Sequence, residues 1–234
     1  AGSDGWQIST GYSSSYWVVP GHTQFVVSND DDCNCDMSAD RIITPAVDLS
    51  SVTNAILKFD AYYDGAWGST GEVEVSTDGG QTWTSIFTLV ADDNGWQNGL
   101  VVDLSTYAGN SSVMVAFKHN DGGAWADGVA VDNIEISAPP ANDAVLALVT
   151  TSENILLNTN ENVQIIVANL GSNPITAIDF TWTDGTNTYT DNLSGLNIPF
   201  FGVDTITHST PFMSASTGTC LLYTSDAADE RSSV

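Results

Sequence analysis

The chain has 234 residues, 42% of them hydrophobic, and sets 29 Asp and Glu against four Lys and Arg for a net charge of −25. That length accommodates two ordinary domains, and the apolar share excludes a disordered acidic tail. A field of this sign repels phosphate backbones and anionic lipid, which speaks against nucleic acid and membrane surfaces as partners. No apolar run approaches the roughly 18–20 residues of a membrane span, which speaks against insertion.

Of the acidic residues 23 are Asp and six are Glu. That balance suits turns, loops and calcium ligation better than helices, and the plain reading of the charge is a solvated surface suited to salty surroundings. Residues 1 to 28 carry apolar clusters at Trp6–Ile8, Tyr16–Val19 and Phe25–Val27 between Gly, Ser and Pro turns, which predicts short strands. A loop dense in oxygen acceptors follows from Asn29 to Asp40. Strands are then expected at Arg41–Val47, Ala55–Tyr63, Glu72–Ser76, Thr82–Leu89, Trp96–Leu104, Ser112–Lys118 and Gly128–Ser137, the spacing of a sandwich. In the last of these, Val129 and Val131 have the opposite parity to Ile134 and Ile136. The register must therefore slip near Asp132 and Asn133, most simply through a β-bulge. Ala138-Pro139-Pro140-Ala141-Asn142 reads as a linker, because two prolines remove two backbone donors. Beyond it Val145–Val149, Val163–Ala168, Ile178–Trp182 and Thr188–Tyr189 again read as strands, with turns at 169–174 and 183–187.

The tail from Thr219 to Val234 shows neither alternation nor a helical face. It resembles the translation of a sequencing adapter and is set apart as a non-native segment, the alternative being a terminal strand at Cys220–Thr224. No signal peptide opens the sequence, and both ends read as cut.

Four motifs bear on chemistry. Ser76-Thr-Asp-Gly-Gly-Gln-Thr-Trp83 matches the Asp-box pattern of sialidase propellers. One copy cannot build a propeller, so the motif is read as a hairpin device, with Asp78 capping turn amides and Trp83 packed beneath. In the acidic loop, Asp30, Asp32, Asn34 and Asp36 place oxygens at the alternate positions of a calcium loop, without the central Gly and terminal Glu of an EF-hand. Asp132 on the bulge is the residue expected to complete that site, against the alternative of a polar turn with no ion. Cys33-Asn-Cys35 is too short for a zinc pair and is either a strained local disulfide or two free thiols. Trp67 and Trp125 stand in Gly-rich loops where a large ring has little reason to be buried, so these two are the expected ligand-binding surface. His22, His119 and His208 lie in unrelated contexts and no nucleophile or metalloprotease motif is present, so the fragment is read as non-catalytic.

With these segments in hand, residues 1–137 resemble the choice-of-anchor J or cleaved-adhesin domain, a relative of the MAM-like jelly rolls of secreted bacterial proteins. The resemblance rests on Gly5-Trp6, Asn29–Asp36, Arg41-Ile-Ile-Thr-Pro45, Glu72–Ser85, Val102–Gly109, Val115–Asn120 and Val131–Ile134. It implies a calcium-stabilised jelly roll exported to the cell surface or medium. Residues 141–212 resemble the Ig-like modules that commonly follow. The expectation is therefore an all-β chain: a jelly-roll β-sandwich over 1–137, the linker 138–142, and a smaller, truncated immunoglobulin-like β-sandwich over 143–218. Its expected role is a binding or adhesion module of a secreted multi-domain surface protein, recognising an extracellular glycan or protein. The alternative is an accessory domain of an extracellular hydrolase whose catalytic domain lies upstream.

Overall fold

The computed structural model describes residues 5–30, 36–38, 40–152, 154–215 and 223–224, with the backbone alone at 93, 223 and 224. Cys33, Cys35 and Cys220 fall outside them. The chain divides into two compact units, Ala1–Ala138 and Pro139–Val234. Among the described residues both are built of strands, with two short 3-10 turns, Ala66–Gly68 and Ser105–Tyr107, and no α-helix. Among the described residues no helix is long and apolar enough to cross a membrane.

The first unit runs β1 (Gln7–Ser9), β2 (Tyr12–Ser13), β3 (Val18–Val19), β4 (Phe25–Ser28), β5 (Asp40–Ile43), β6 (Ile56–Tyr63), β7 (Thr70–Ser76), β8 (Thr84–Thr88), β9 (Asp92–Asp103), β10 (Met114–Asn120) and β11 (Val129–Ser137). One sheet has the order β1-β4-β11-β6-β9 and the other β5-β10-β7-β8. The eight strands β4 to β11 thus wind as nested pairs, 4-11-6-9 facing 5-10-7-8, which is the topology of a jelly roll. Alternation explains the layering. Leu57, Phe59, Ala61 and Tyr63 on β6 and Val129 and Val131 on β11 turn inward to meet Val73, Val75, Val115 and Phe117 of the opposite sheet. Phe59 and Phe117 close the core edge-to-face, with ring centroids 4.9 Å apart.

The opposite faces have different fates. On the four-stranded sheet, Lys118 Nζ lies 2.9 Å from Glu72, and the Arg41 guanidinium clasps Glu74 while lying 5.8 Å from the Trp83 ring. On the five-stranded sheet, Phe25, Val27, Tyr62 and Ala130 form a second apolar cluster with Trp17 and Val19. Residues 12–23 therefore act as a strap over that face.

The Asp-box hairpin joins β7 to β8. Asp78 Oδ1 accepts from the Gln81 and Thr82 N–H groups at 3.0 Å each, and Trp83 Nε1 donates to the Gly80 carbonyl at 3.1 Å. The hydrogen bond from the Thr82 hydroxyl, followed by those from its amide and from Ser76, holds the Asp78 carboxyl far below the usual carboxylate range. The motif is the structural device its spacing indicated.

The second unit comprises β12 (Ala144–Val149), β13 (Asn160–Glu161), β14 (Gln164–Asn169), β15 (Ile175–Thr183), β16 (Thr188–Ile198), β17 (Val203–Thr207), β18 (Phe212–Met213) and β19 (Tyr223–Thr224). Sheets β12-β14-β17 and β16-β15-β19 close on Val163, Ile165, Val167, Phe180, Trp182 and Ile206, a small sandwich core. The turn at 183–187 is pinned by Asp184, whose Oδ1 accepts from Thr186 and Asn187. Of the segment set apart as a tail, Tyr223 and Thr224 pair with Thr183 and Trp182, where the terminal-strand alternative would put them. The other residues of that segment lie outside the described ones.

Candidate binding face

The jelly-roll winding determines which loops meet. β4–β5, β6–β7 and β10–β11 each cross from one sheet to the other, and their strands are neighbours in both sheets: β4-β11-β6 in one, β5-β10-β7 in the other. Loops 29–39, 64–69 and 121–128 therefore leave adjacent strand ends on one end of the sandwich. Thr70 faces Asn120, and Ala130 faces Tyr62, which sets the Trp67 loop beside the Trp125 loop. Loop 89–91 adjoins them, because Leu89 packs against Gly71 and Ala91 against Gly65.

Both predicted tryptophans are exposed here, Trp67 by 78% and Trp125 by 54%. Trp67 also sits at φ 59°, between Gly65 at φ 70° and Gly68 at φ 88°. The left-handed region is ordinary for glycine and costly for a bulky side chain, about 1–3 kcal/mol. Since the ring buries little, the fold gains nothing visible in return. The Trp125 loop is anchored from below. Gly128 leaves no room for a Cβ between the Ser28 carbonyl and the Trp17 ring, so only glycine fits immediately before β11.

The same loop end carries buried carboxylates. Asp30, Asp121 and Asp127 are 1%, 2% and 3% exposed, and His119 beside them is fully buried with Nδ1 2.9 Å from Ser28 Oγ. Ser28 faces Val129, so the register carries Asp30 to the level of Asp127. Asp121 organises the acidic loop across the gap: its carboxylate accepts from Met37 N–H at 2.9 Å and Ser38 Oγ at 3.2 Å. Asp36 is exposed, and the hydroxyl and N–H of Ser38 hold its carboxyl below the ordinary value. Burial lowers the pKa of His119, although the Asp127 backbone and the nearby Asp121 and Asp40 pull the other way.

Asp132 does not join this group. Val131 faces Val26, so Asp132 stands level with Phe25, five residues from Asp30 and about 17 Å away along the strand. The expected bulge is present: β11 shifts register against β6 between Asp132 and Glu135, with Asn133 at φ 52°. It aims Asp132 at the strap instead. His22 Nδ1 lies 2.7 Å from Asp132 Oδ2, and Thr23 Oγ1 donates to the same oxygen at 2.5 Å. Asp60, directly opposite Asp132, accepts from Gly99 N–H and Asn133 Nδ2 at 2.6 Å each and lies 3.5 Å from His22 Nε2. The imidazole rests on Trp96, ring centroids 4.3 Å apart. Burial acts to raise the Asp132 pKa, but hydrogen bonds from Thr23, Asn133 and His22, with the charge of His22, hold it below the ordinary value. Asp132 is thus a latch for the strap, a correction to its expected place in an ion site.

The oxygen-rich chemistry of the acidic end matches a hard cation such as calcium. Buried carboxylates close together are stabilised by one, since each charge withdrawn from water otherwise costs several kcal/mol. Among the described residues, however, no three His, Cys, Asp or Glu side chains converge tightly enough to hold a metal by themselves. Asp32 and Asn34 lie outside the described residues. Asp121 and Asp127 had no marker of their own in the sequence; their signal is the pairing of strands that frame their loop.

No family model matches the sequence, and no curated protein matches it. Solved structures resemble it loosely. The K1 cleaved adhesin domain of Lys-gingipain from Porphyromonas gingivalis W83 is 20% identical at a TM-score of 0.42, covering 58% of this chain and 85% of that one. The CBM22-1-CBM22-2 tandem of Paenibacillus barcinonensis Xyn10C is 11% identical at 0.35, covering 94% and 84%. The glycoside hydrolase domain of Endo-D from Streptococcus pneumoniae R6 is 14% identical at 0.33, covering 91% of this chain and 37% of its own. At such scores these likenesses decide neither fold nor function, which rest on the chain's own strands and side chains.

Proposed function

We propose that the first unit is a non-catalytic binding module of an extracellular surface protein, and that it holds a glycan or protein partner on the loop face carrying Trp67 and Trp125. The observation that carries this reading is Trp67: an exposed indole kept in a left-handed backbone conformation that the fold itself does not need. Calcium belongs to the same proposal. Its oxygens would come from the acidic loop, at Asp30, Asp32, Asn34 and Asp36, beside Asp121 and Asp127 of the facing loop, and its role is to fix the loops that present the aromatics.

The test is a glycan and matrix-protein array probed with the whole chain, in calcium and in chelator. Trp67→Gly and Trp125→Ala should each weaken a captured partner at least about tenfold, the loss of roughly 1.4 kcal/mol expected when a central aromatic is removed. Trp67→Gly should leave the melting temperature unchanged or higher, because glycine adopts φ 59° without strain. A partner bound equally well by both variants would place recognition elsewhere.

A further inference from the structure

We infer that the ligand of this face is an uncharged saccharide chain, and that the face is built to reject sulfated, phosphorylated and uronate-bearing ones. The inference rests on the reading of Trp67 and Trp125 as ligand platforms and adds the ligand's chemistry. Among the described residues, loops 29–39, 64–69, 89–91 and 121–128 carry five Asp, at 30, 36, 64, 121 and 127, and no Lys, Arg or His. The cations of the strands turn elsewhere. Arg41 and Lys118 are held by Glu74 and Glu72 on the outer face of the four-stranded sheet, and Lys58 lies opposite Glu135.

Four backbone donors of these loops, the other means of holding an anion, are also taken. The N–H groups of Met37, Ala66 and Gly123 point to the carboxylates of Asp121, Asp64 and Asp121, and that of Gly122 to the Asn120 side chain. A carboxylate only accepts, so a ligand here must bring its own donors. Sugar hydroxyls do so, and a pyranose face suits an indole. A sulfate or uronate brings acceptors alone and meets like charge. One divalent cation would offset two of these five negative charges and leave the sign unchanged. Among the described residues of these loops the large exposed apolar side chains are the two indoles and Val90, not the continuous groove or unpaired strand edge that peptides use.

The deciding measurement is binding of the whole chain, in calcium, to hexamers of xylose, glucose, mannose and N-acetylglucosamine, to a heparin-type hexamer, to a galacturonate hexamer and to oligolysine, each at low and high salt. At least one neutral hexamer should bind, lose tenfold or more in Trp67→Gly, and change less than about twofold with salt, since stacking on a neutral ring is not screened. Tryptophan-dependent binding of an anionic hexamer, or of oligolysine alone, would overturn the inference and leave the face itself standing. Binding by none of the probes or matrix proteins, or binding indifferent to Trp67→Gly and Trp125→Ala, would overturn the reading of the face.

Discussion

Two of the places where the first unit withdraws carboxylates from water are treated differently. On the outer face of the five-stranded sheet, Asp60 and Asp132 oppose each other across β6 and β11, and the chain supplies the answer itself: His22 lies between them and Thr23, Gly99 and Asn133 donate to them. At the loop end, Asp121 uses its oxygens to shape neighbouring turns, and Asp30 and Asp127 are buried in the loops on either side of the β4–β11 pair. The first cluster closes a strap over an apolar patch. The second lies at the loop end that carries the exposed Trp67 and Trp125. Acidic side chains alone do not distinguish a latch from a site; the groups brought to meet them do.

Calcium titration should separate the two clusters most sharply. At free calcium a hundredfold above its dissociation constant, the parent chain should gain about 2.7 kcal/mol in unfolding free energy. Asp121→Asn with Asp127→Asn should abolish that gain, whereas Asp132→Asn should keep it. The reverse pattern would exchange the roles assigned to the clusters.

Removing the latch comes next. His22→Ala leaves two carboxylates facing each other without their shared partner, and should cost about 2–3 kcal/mol in urea unfolding. Adding Asp132→Asn should recover part of that loss. Strict additivity of the two changes would mean that the contact of 2.7 Å carries no coupling.

The smallest effect is on pH dependence. Because burial holds His119 below its ordinary value of 6.5, the unfolded chain takes up a proton before the native one does. Stability from this group is complete above pH 6.5 and falls as pH drops from there through the lowered native value, by at most about 1.4 kcal/mol per unit. In chelator, His119→Gln should flatten that slope; an unchanged slope would assign it to other groups.

Much of the fold was legible beforehand. Alternation in Glu72–Ser76 and Val113–Phe117 marks strands with one buried face, and the parity change after Val131 predicts the bulge that the register shift shows. Single-residue periodicity suffices there because a buried face tolerates no slip. The exposure of Trp67 and Trp125 was likewise readable, since glycine-rich loops provide no pocket for an indole. What escaped was pairing at a distance. His22 and Asp132 are 110 residues apart, and nothing local to either announces the other. Asp121 and Asp127 look like ordinary turn acids until β10 and β11 are seen to bracket the loop beside Asp30.

By itself, then, the sequence determined the all-β class, the order of strands and the hairpin at Asp78, because these follow from side-chain periodicity and from hydrogen bonds within a few residues. Only the tertiary structure decided which loops share an end and which carboxylates share a partner. Those depend on the jelly-roll winding, which sets Asp132 facing the strap and brings the loops of Trp67 and Trp125 to the same end as the buried acids.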